Sequence, residues 1–328
     1  MSKLVLSNVA WSESDMKNIR ETPGIANSFI AALSFSLKFS GKEADYVRLM
    51  GASAFAFRIN IHQDMCPSAP TTFLWKELLP EAIEQAGCKS IHIYDSWDNS
   101  ILEEKRAEAR QEIEKALKQG ILPILWEVEI PEWGLITGYD DELSEYTALS
   151  CFGNTLKIPY GQFGRGAAVG GLSVSIPGEP NGRSPERVFL NSLHAAVRHA
   201  AQEEWNERPW YQDGLPAYEF WASIIEKGLK DGSDFNTSWY SSGTYFSARY
   251  CAAKYLFSMS DGNPLLLKAA KLYQEVAERL YLPWEAFRER RRPEDKTLEQ
   301  AADAVRKAGQ AEEQAIGAIR EYLAAQNV

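Results

Sequence analysis

The run Gly24-Ile25-Ala26-Asn27-Ser28-Phe29-Ile30-Ala31-Ala32-Leu33-Ser34-Phe35-Ser36-Leu37-Lys38-Phe39-Ser40-Gly41 reads as one buried helix with defined ends. Pro23 and Gly24 stop whatever precedes it, and Asn27 or Ser28 can cap it. Ile30, Leu33, Leu37 and the Phe residues then recur at helical spacing until Gly41 closes the run. The helix therefore opens on two small polar residues. A helix start presents free N–H groups and the positive end of the dipole, which favour an anion or an activated nucleophile. Ser28 stands at that place, either as a functional hydroxyl or as a capping residue with no other role.

Composition narrows the partners. With 45% hydrophobic and 24% charged residues over 328 positions the chain is an ordinary globular one, long enough for a large core in one or two domains. Aromatic residues at 12% argue against disorder. The formal net charge of −10 disfavours nucleic acid, whose phosphates are bound by clustered Lys and Arg, and fits a cationic or neutral ligand or simple solubility. Cys66, Cys88, Cys151 and Cys251 lie far apart with no CxxC pair, so neither a zinc site nor a disulfide scaffold is indicated and no cofactor or metal is expected. Residues 1–7 lack the apolar core of a signal peptide and no apolar run reaches the length of a membrane span. The cytoplasm is the expected location, with no membrane partner.

Outward from the helix, residues 3–10 read as a short strand and 11–23 as a polar lead-in. A second short helix is expected from Ala44 to Met50. The larger residues at 55, 57, 59 and 61 predict a strand, and the two prolines of 63–70 a loop. A helix at 73–86, a strand at 89–94 and a charged helix at 99–119 follow. The segment 121–130 reads as a strand, after which 133–139, 145–150 and 155–158 form a meander with turns at Asp140-Asp141 and Gly153-Asn154. Residues 161–184 are glycine-rich around one strand, Leu172 to Ile176. From Ser184-Pro185, an N-cap followed by proline at the first helical position, the chain turns helical, with helices near 185–200, 215–228, 240–260, 263–282 and 294–325. The last has an Ala-based stripe suited to docking on the body of the protein or on a second copy.

Two segments together resemble a known family. Asn27-Ser28 opens the apolar helix and is followed by LMGASAFAFRI (49–59); GILPILWEVEIPEWGLITGYDD (120–141) leads from a strand through a polar residue and Trp into a glycine-punctuated strand. This resembles the papain-like superfamily, specifically its C39-like peptidase branch and the BtrH-like N-terminal domains, in which a Cys opens the central helix and a His begins the strand. The likeness covers residues 20–165 and extends loosely to GLPAYEFW (214–221) and YFSARYCAAKYL (245–256). It implies an α+β fold: a papain-like core of a central buried helix on a mainly antiparallel sheet (residues 1–180), an added helical region (181–293) and a C-terminal helix (294–328). Residue by residue, the nucleophile position falls on Ser28 and the base position on Glu132. The third member of such a triad would lie near Ser150 or Asn154, where no Asp stands.

The resemblance therefore supplies a scaffold with altered chemistry. A thiolate is a strong nucleophile once an imidazole holds its proton, whereas a serine hydroxyl needs a better base than an ordinary carboxylate. The expected function is a catalytically altered protein binding a small molecule or peptide in a cleft between core and helical region. Ser28 and Glu132 are its centre, with Asn27, Trp133, Glu127, Glu129, Trp210, Tyr218 and Trp239 as ligand-binding candidates. Glu127 and Glu129, read on a strand, would share one face about 7 Å apart, able to bind an amine or exchange protons, or simply forming a solvated edge. Trp205, Trp210, Tyr211, Tyr218, Trp221, Trp239, Tyr240 and Tyr245 would line a pocket for a ring or cation, or pack helices together. The alternatives are a serine-dependent amide hydrolase or acyltransferase using the same pair, and a non-catalytic oligomeric scaffold built on the last helix. His62, His92, His194 and His199 read as structural, as do the segment GQFGRGAAVGG and the basic run 290–292.

Overall fold

The structure, a computed structural model, describes residues 2–11, 27–95, 102–165, 171–204, 209–232, 235 and 237–326. Residues 12–26 of the lead-in, Trp205, and 166–170 of the glycine-rich segment lie outside these. In chain order the elements are β1 (Lys3–Val5), α1 (Ser28–Phe39), α2 (Tyr46–Ala52), β2 (Asn60–His62), α3 (Trp75–Gln85), β3 (Cys88–Asp95), α4 (Leu102–Lys118) and β4 (Ile124–Trp126). There follow β5 (Trp133–Asp140), β6 (Glu145–Leu149), β7 (Thr155–Pro159), β8 (Leu172–Pro180), α5 (Pro185–Ala200), β9 (Tyr211–Asp213), α6 (Pro216–Asp231), α7 (Ser238–Met259), α8 (Pro264–Phe287) and α9 (Asp295–Ala325). The fold class is α+β. No described helix is long and apolar enough to cross a membrane.

The chain divides into two compact units, Met1–Leu49 with Trp75–Arg183, and Met50–Leu74 with Ser184–Val328. Residues 50–74, expected in the α+β core, thus fold with the helical residues, and so does α9.

The first unit is built on a seven-stranded sheet in the order β3-β8-β4-β5-β6-β7, whose described pairings are all antiparallel. β1 pairs with β5 on the edge that β4 also uses, further along the strand. β5 is buried along its whole length. Its Gly134 is required by close approach: a Cβ there would stand 2.5 Å from the Leu149 carbonyl oxygen and 2.8 Å from Val128 Cβ. Helix α1 packs on β5, β4 and β8. Its Phe29, Ile30, Ala32 and Leu33 are wholly buried, as the sequence predicted. Two of its hydroxyls are paired inside: Ser36 Oγ donates to the Leu122 carbonyl at 2.7 Å and Ser34 Oγ to that of Ala44 at 3.1 Å. That pairing is what lets serines sit in so apolar a helix.

Two expected strands are corrected. Residues 52–61 hold the end of α2, a left-handed Ala54 (φ 62), a 3-10 turn at Phe55–Phe57 and only the short β2. Phe55, Ala56 and Phe57 are all buried, so the alternation of large and small side chains did not report two faces. The strand expected over 121–130 stops at Trp126, because Glu127 (φ 62) and Glu129 (φ 78) are left-handed and turn the chain back into β5. Glu127 and Glu129 therefore do not form a pair on one strand face.

The second unit joins α5–α9 around a core that includes Ile59, Ile61, Trp221, Tyr245, Val276, Leu298 and Val305, with β2 paired to β9. The apolar stripe of α9 is covered by α8, α6 and α5 of its own unit. At the centre lies Arg249, fully buried, whose Nε and Nη2 each donate to Glu312 at 2.9 Å. Its Nη2 also reaches the Phe57 carbonyl at 3.3 Å and Nη1 that of Arg58. Tyr218 and Tyr273 donate their hydroxyls to the same carboxylate.

Candidate functional site

The site is assembled from the first turn of α1 and the corner between β4 and β5. Asn27 is the cap of α1: its side-chain oxygen accepts from Ile30 N at 3.0 Å, while its own N–H donates to Tyr46 Oη at 3.2 Å. With capping assigned to Asn27, Ser28 is the first helical residue and its hydroxyl is free of that role. It donates instead to Glu132 Oε2 and accepts from the backbone N–H of Trp133 at 3.1 Å. Ser28 is 9% exposed.

The corner explains how Glu132 reaches that place. Glu127 N and Val128 N both donate to the Glu132 carbonyl, at 2.9 and 3.3 Å, and Glu132 N donates to the Ile130 carbonyl at 2.6 Å. Val128, wholly buried, anchors the corner from below. The chain is thus folded back on itself with Glu132 as the last residue before the buried strand. Two non-glycine residues in the left-handed region are costly, and such strain persists where surrounding structure holds it.

Of the other acidic candidates, Glu129 is exposed and takes both Asn154 Nδ2 contacts, at 2.8 and 3.1 Å, which ties the corner to the β6–β7 turn. Asn154 therefore serves Glu129. Ser150 is a turn residue whose Oγ accepts from Phe152 N and Asn154 N, both at 3.2 Å. Beside it Cys151 is pushed up to about 12 by burial, with the Glu132 and Glu129 carboxylates adding to the effect. Its thiol stays protonated at neutral pH and is no nucleophile. Its electrostatic coupling to Glu132 is a feature the sequence pattern did not signal.

A second omission is larger. The Trp133 ring, 4.3 Å from Trp126 between centroids, also meets Trp75 at 5.1 Å and Phe29 at 5.7 Å, and Trp75 lies 4.8 Å from Trp126 and 6.0 Å from Tyr94. The signal available was the two-residue spacing of Ile124 and Trp126 on a strand that leads to Trp133. Apart from Trp133, the described aromatic residues that the sequence did single out belong to the second unit and do different things. Tyr218 is buried on Glu312, Trp210 is 45% exposed, and Trp239 lies under the Arg290 guanidinium at 4.0 Å while packing on the helical core.

Of the four histidines only His92 belongs to the first unit, on β3, with β8 and β4 between its strand and β5. Burial lowers its pKa to about 4, so the ring is neutral at neutral pH. Among the described residues no group of three or more His, Cys, Asp or Glu is placed to hold a metal ion. No known family matches the chain, and no curated protein matches it. The site offers a hydroxyl held between a carboxylate and a backbone donor, an acidic surround, and an aromatic wall one residue away.

Proposed function

We propose that this protein binds a small molecule or peptide through an amine, on a papain-like core in which Ser28 and Glu132 occupy the nucleophile and base positions. One observation carries the reading: the Ser28 hydroxyl is engaged on both sides, donating to Glu132 and accepting from Trp133 N–H. A carboxylate holds a proton far less tightly than a hydroxyl does, so this pair orients Ser28 without ionising it. The same carboxylate, close to Cys151 and Glu129, makes the site attractive to an ammonium group. The papain-like assignment is supported by a helix-start side chain meeting the residue just before a buried strand.

The test is a calorimetric titration of the purified full chain with benzylamine, repeated on Glu132→Gln. Saturable binding that weakens at least tenfold in the variant supports the reading. Covalent labelling of Ser28 by a fluorophosphonate probe, at a rate abolished by Glu132→Gln, overturns it in favour of acyl transfer.

A further inference from the structure

Side chains two apart on a strand share a face. The register therefore places Ser90, His92 and Tyr94 of β3, Ser173 and Ser175 of β8, Trp126 of β4 and Trp133 of β5 on one side of the sheet. Tyr94 is opposite Ser173, His92 opposite Ser175, and Trp126 opposite Trp133. Ile124 is opposite both Ser175 and Leu135, which carries the same face across β4. This is the side on which α1 lies, since Phe29 meets Trp133.

The face carries buried polar atoms that the protein does not pair. Ser90 Oγ, His92 Nε2, Ser173 Oγ, Trp126 Nε1 and Trp133 Nε1 have no hydrogen-bond partner. Ser173, Trp133 and Trp126 are only 1%, 2% and 5% exposed. A buried donor left unpaired costs about 1–3 kcal/mol, and folded proteins leave few of them. Five on one face of three neighbouring strands and β5 beside them mark a place where the partner comes from outside the chain. Indole N–H groups donate and never accept, so they call for acceptor atoms. The rings around them, with half-buried Trp75 and Tyr94 at the margin, favour a flat aromatic partner.

We infer that this face is the ring-recognition half of the Ser28–Glu132 site. It takes a planar aromatic amine whose ring bears hydrogen-bond acceptors such as an amide carbonyl or a ring nitrogen. The two halves are contiguous because Trp133 contributes its backbone N–H to Ser28 and its indole to the aromatic face. The inference rests on the amine-binding reading above and deepens it.

Three probes separate the two ideas on the full chain: meta-aminomethylbenzamide, benzylamine and cyclohexylmethylamine, each titrated while the indole N–H resonances of isotopically labelled tryptophan are followed. The benzamide is expected to bind about tenfold more tightly than benzylamine, the worth of one or two neutral hydrogen bonds, and to shift the Trp126 and Trp133 indole protons saturably. Trp126→Phe keeps a ring but removes the donor, and narrows that gap to about twofold. Ser173→Ala keeps every ring and narrows the same gap, which serves if the Phe variant fails to fold. Equal affinities for the two aromatic probes, or a gap that survives both variants, overturn the inference; if Glu132→Gln still weakens all three amines, the amine-binding reading stands. Failure of all three probes to bind overturns both.

Discussion

The two units each bury polar groups, and they treat them in opposite ways. In the helical unit the Arg249 guanidinium and the Glu312 carboxylate are almost wholly buried, yet each is met by several partners: two tyrosines, two backbone carbonyls and one another. In the sheet unit Trp126 Nε1, Trp133 Nε1 and Ser173 Oγ are also buried and have no hydrogen-bond partner, although Ser175 Oγ on the same face pairs with His92 Nδ1. A closed network specifies how helices pack; an open one is incomplete without a guest. Burial of a polar residue alone therefore separates neither case from the other, and the partner list does.

The largest effect that sharpens this contrast is expected in the closed network. Arg249→Met strands the Glu312 charge and costs about 3–5 kcal/mol in chemical denaturation, whereas Arg249→Met with Glu312→Leu recovers most of it. A single variant that costs less than about 1 kcal/mol breaks the comparison. Next comes pH. His92 is held neutral in the folded state, at about 4, against an ordinary value of 6.5. The unfolded chain therefore takes up the proton first as pH falls, and stability present above about 6.5 is lost on the way down to about 4, by up to about 3 kcal/mol. The melting temperature should drop less between neutral pH and pH about 4.5 in His92→Gln than in the parent. Ser28→Ala removes the acceptor of Trp133 N–H and the donor to Glu132, and is expected to cost about 1–2 kcal/mol by urea midpoint. Asn27→Ala deletes the cap of α1 for about 1 kcal/mol, read in the same way. The smallest effect belongs to the open network: Ser173→Ala removes an unpaired buried hydroxyl and is expected to leave stability within about 0.5 kcal/mol of the parent, or raise it.

Much of the fold was legible because local signals agreed with one another. Pro185 after Ser184, and Asn263 before Pro264, mark helix starts that the structure places at the same residues. The meander was announced by the turns at Asp140-Asp141 and Gly153-Asn154. What escaped was backbone handedness. Trp126-Glu127-Val128-Glu129-Ile130 alternates apolar and acidic residues as a strand does, but the period of two came from a corner in which Val128 is the buried peg and two glutamates adopt positive φ. Hydrophobic pattern reports which side chains are inside and is silent about how the chain turns to put them there. At the site, Ser28 and Glu132 were legible through resemblance, and the structure brings them into hydrogen-bond contact. Trp75 and Trp126 were not, because residues 58 and 7 positions from Trp133 gain a common meaning only after the strands are paired and a helix is laid across them.

The placing of β8 between β3 and β4 has a consequence for how the protein is made. During synthesis both older strands emerge long before residues 172–180 exist, so each waits with an unsatisfied edge facing the gap that β8 will fill. Until then β3 is a lone strand and β4 to β7 a separate ribbon, prone to pair wrongly with each other or with a neighbouring polypeptide. The keystone of this half of the molecule is its final strand, and a ribosome stalled short of it releases a product that has nearly every part and no closure.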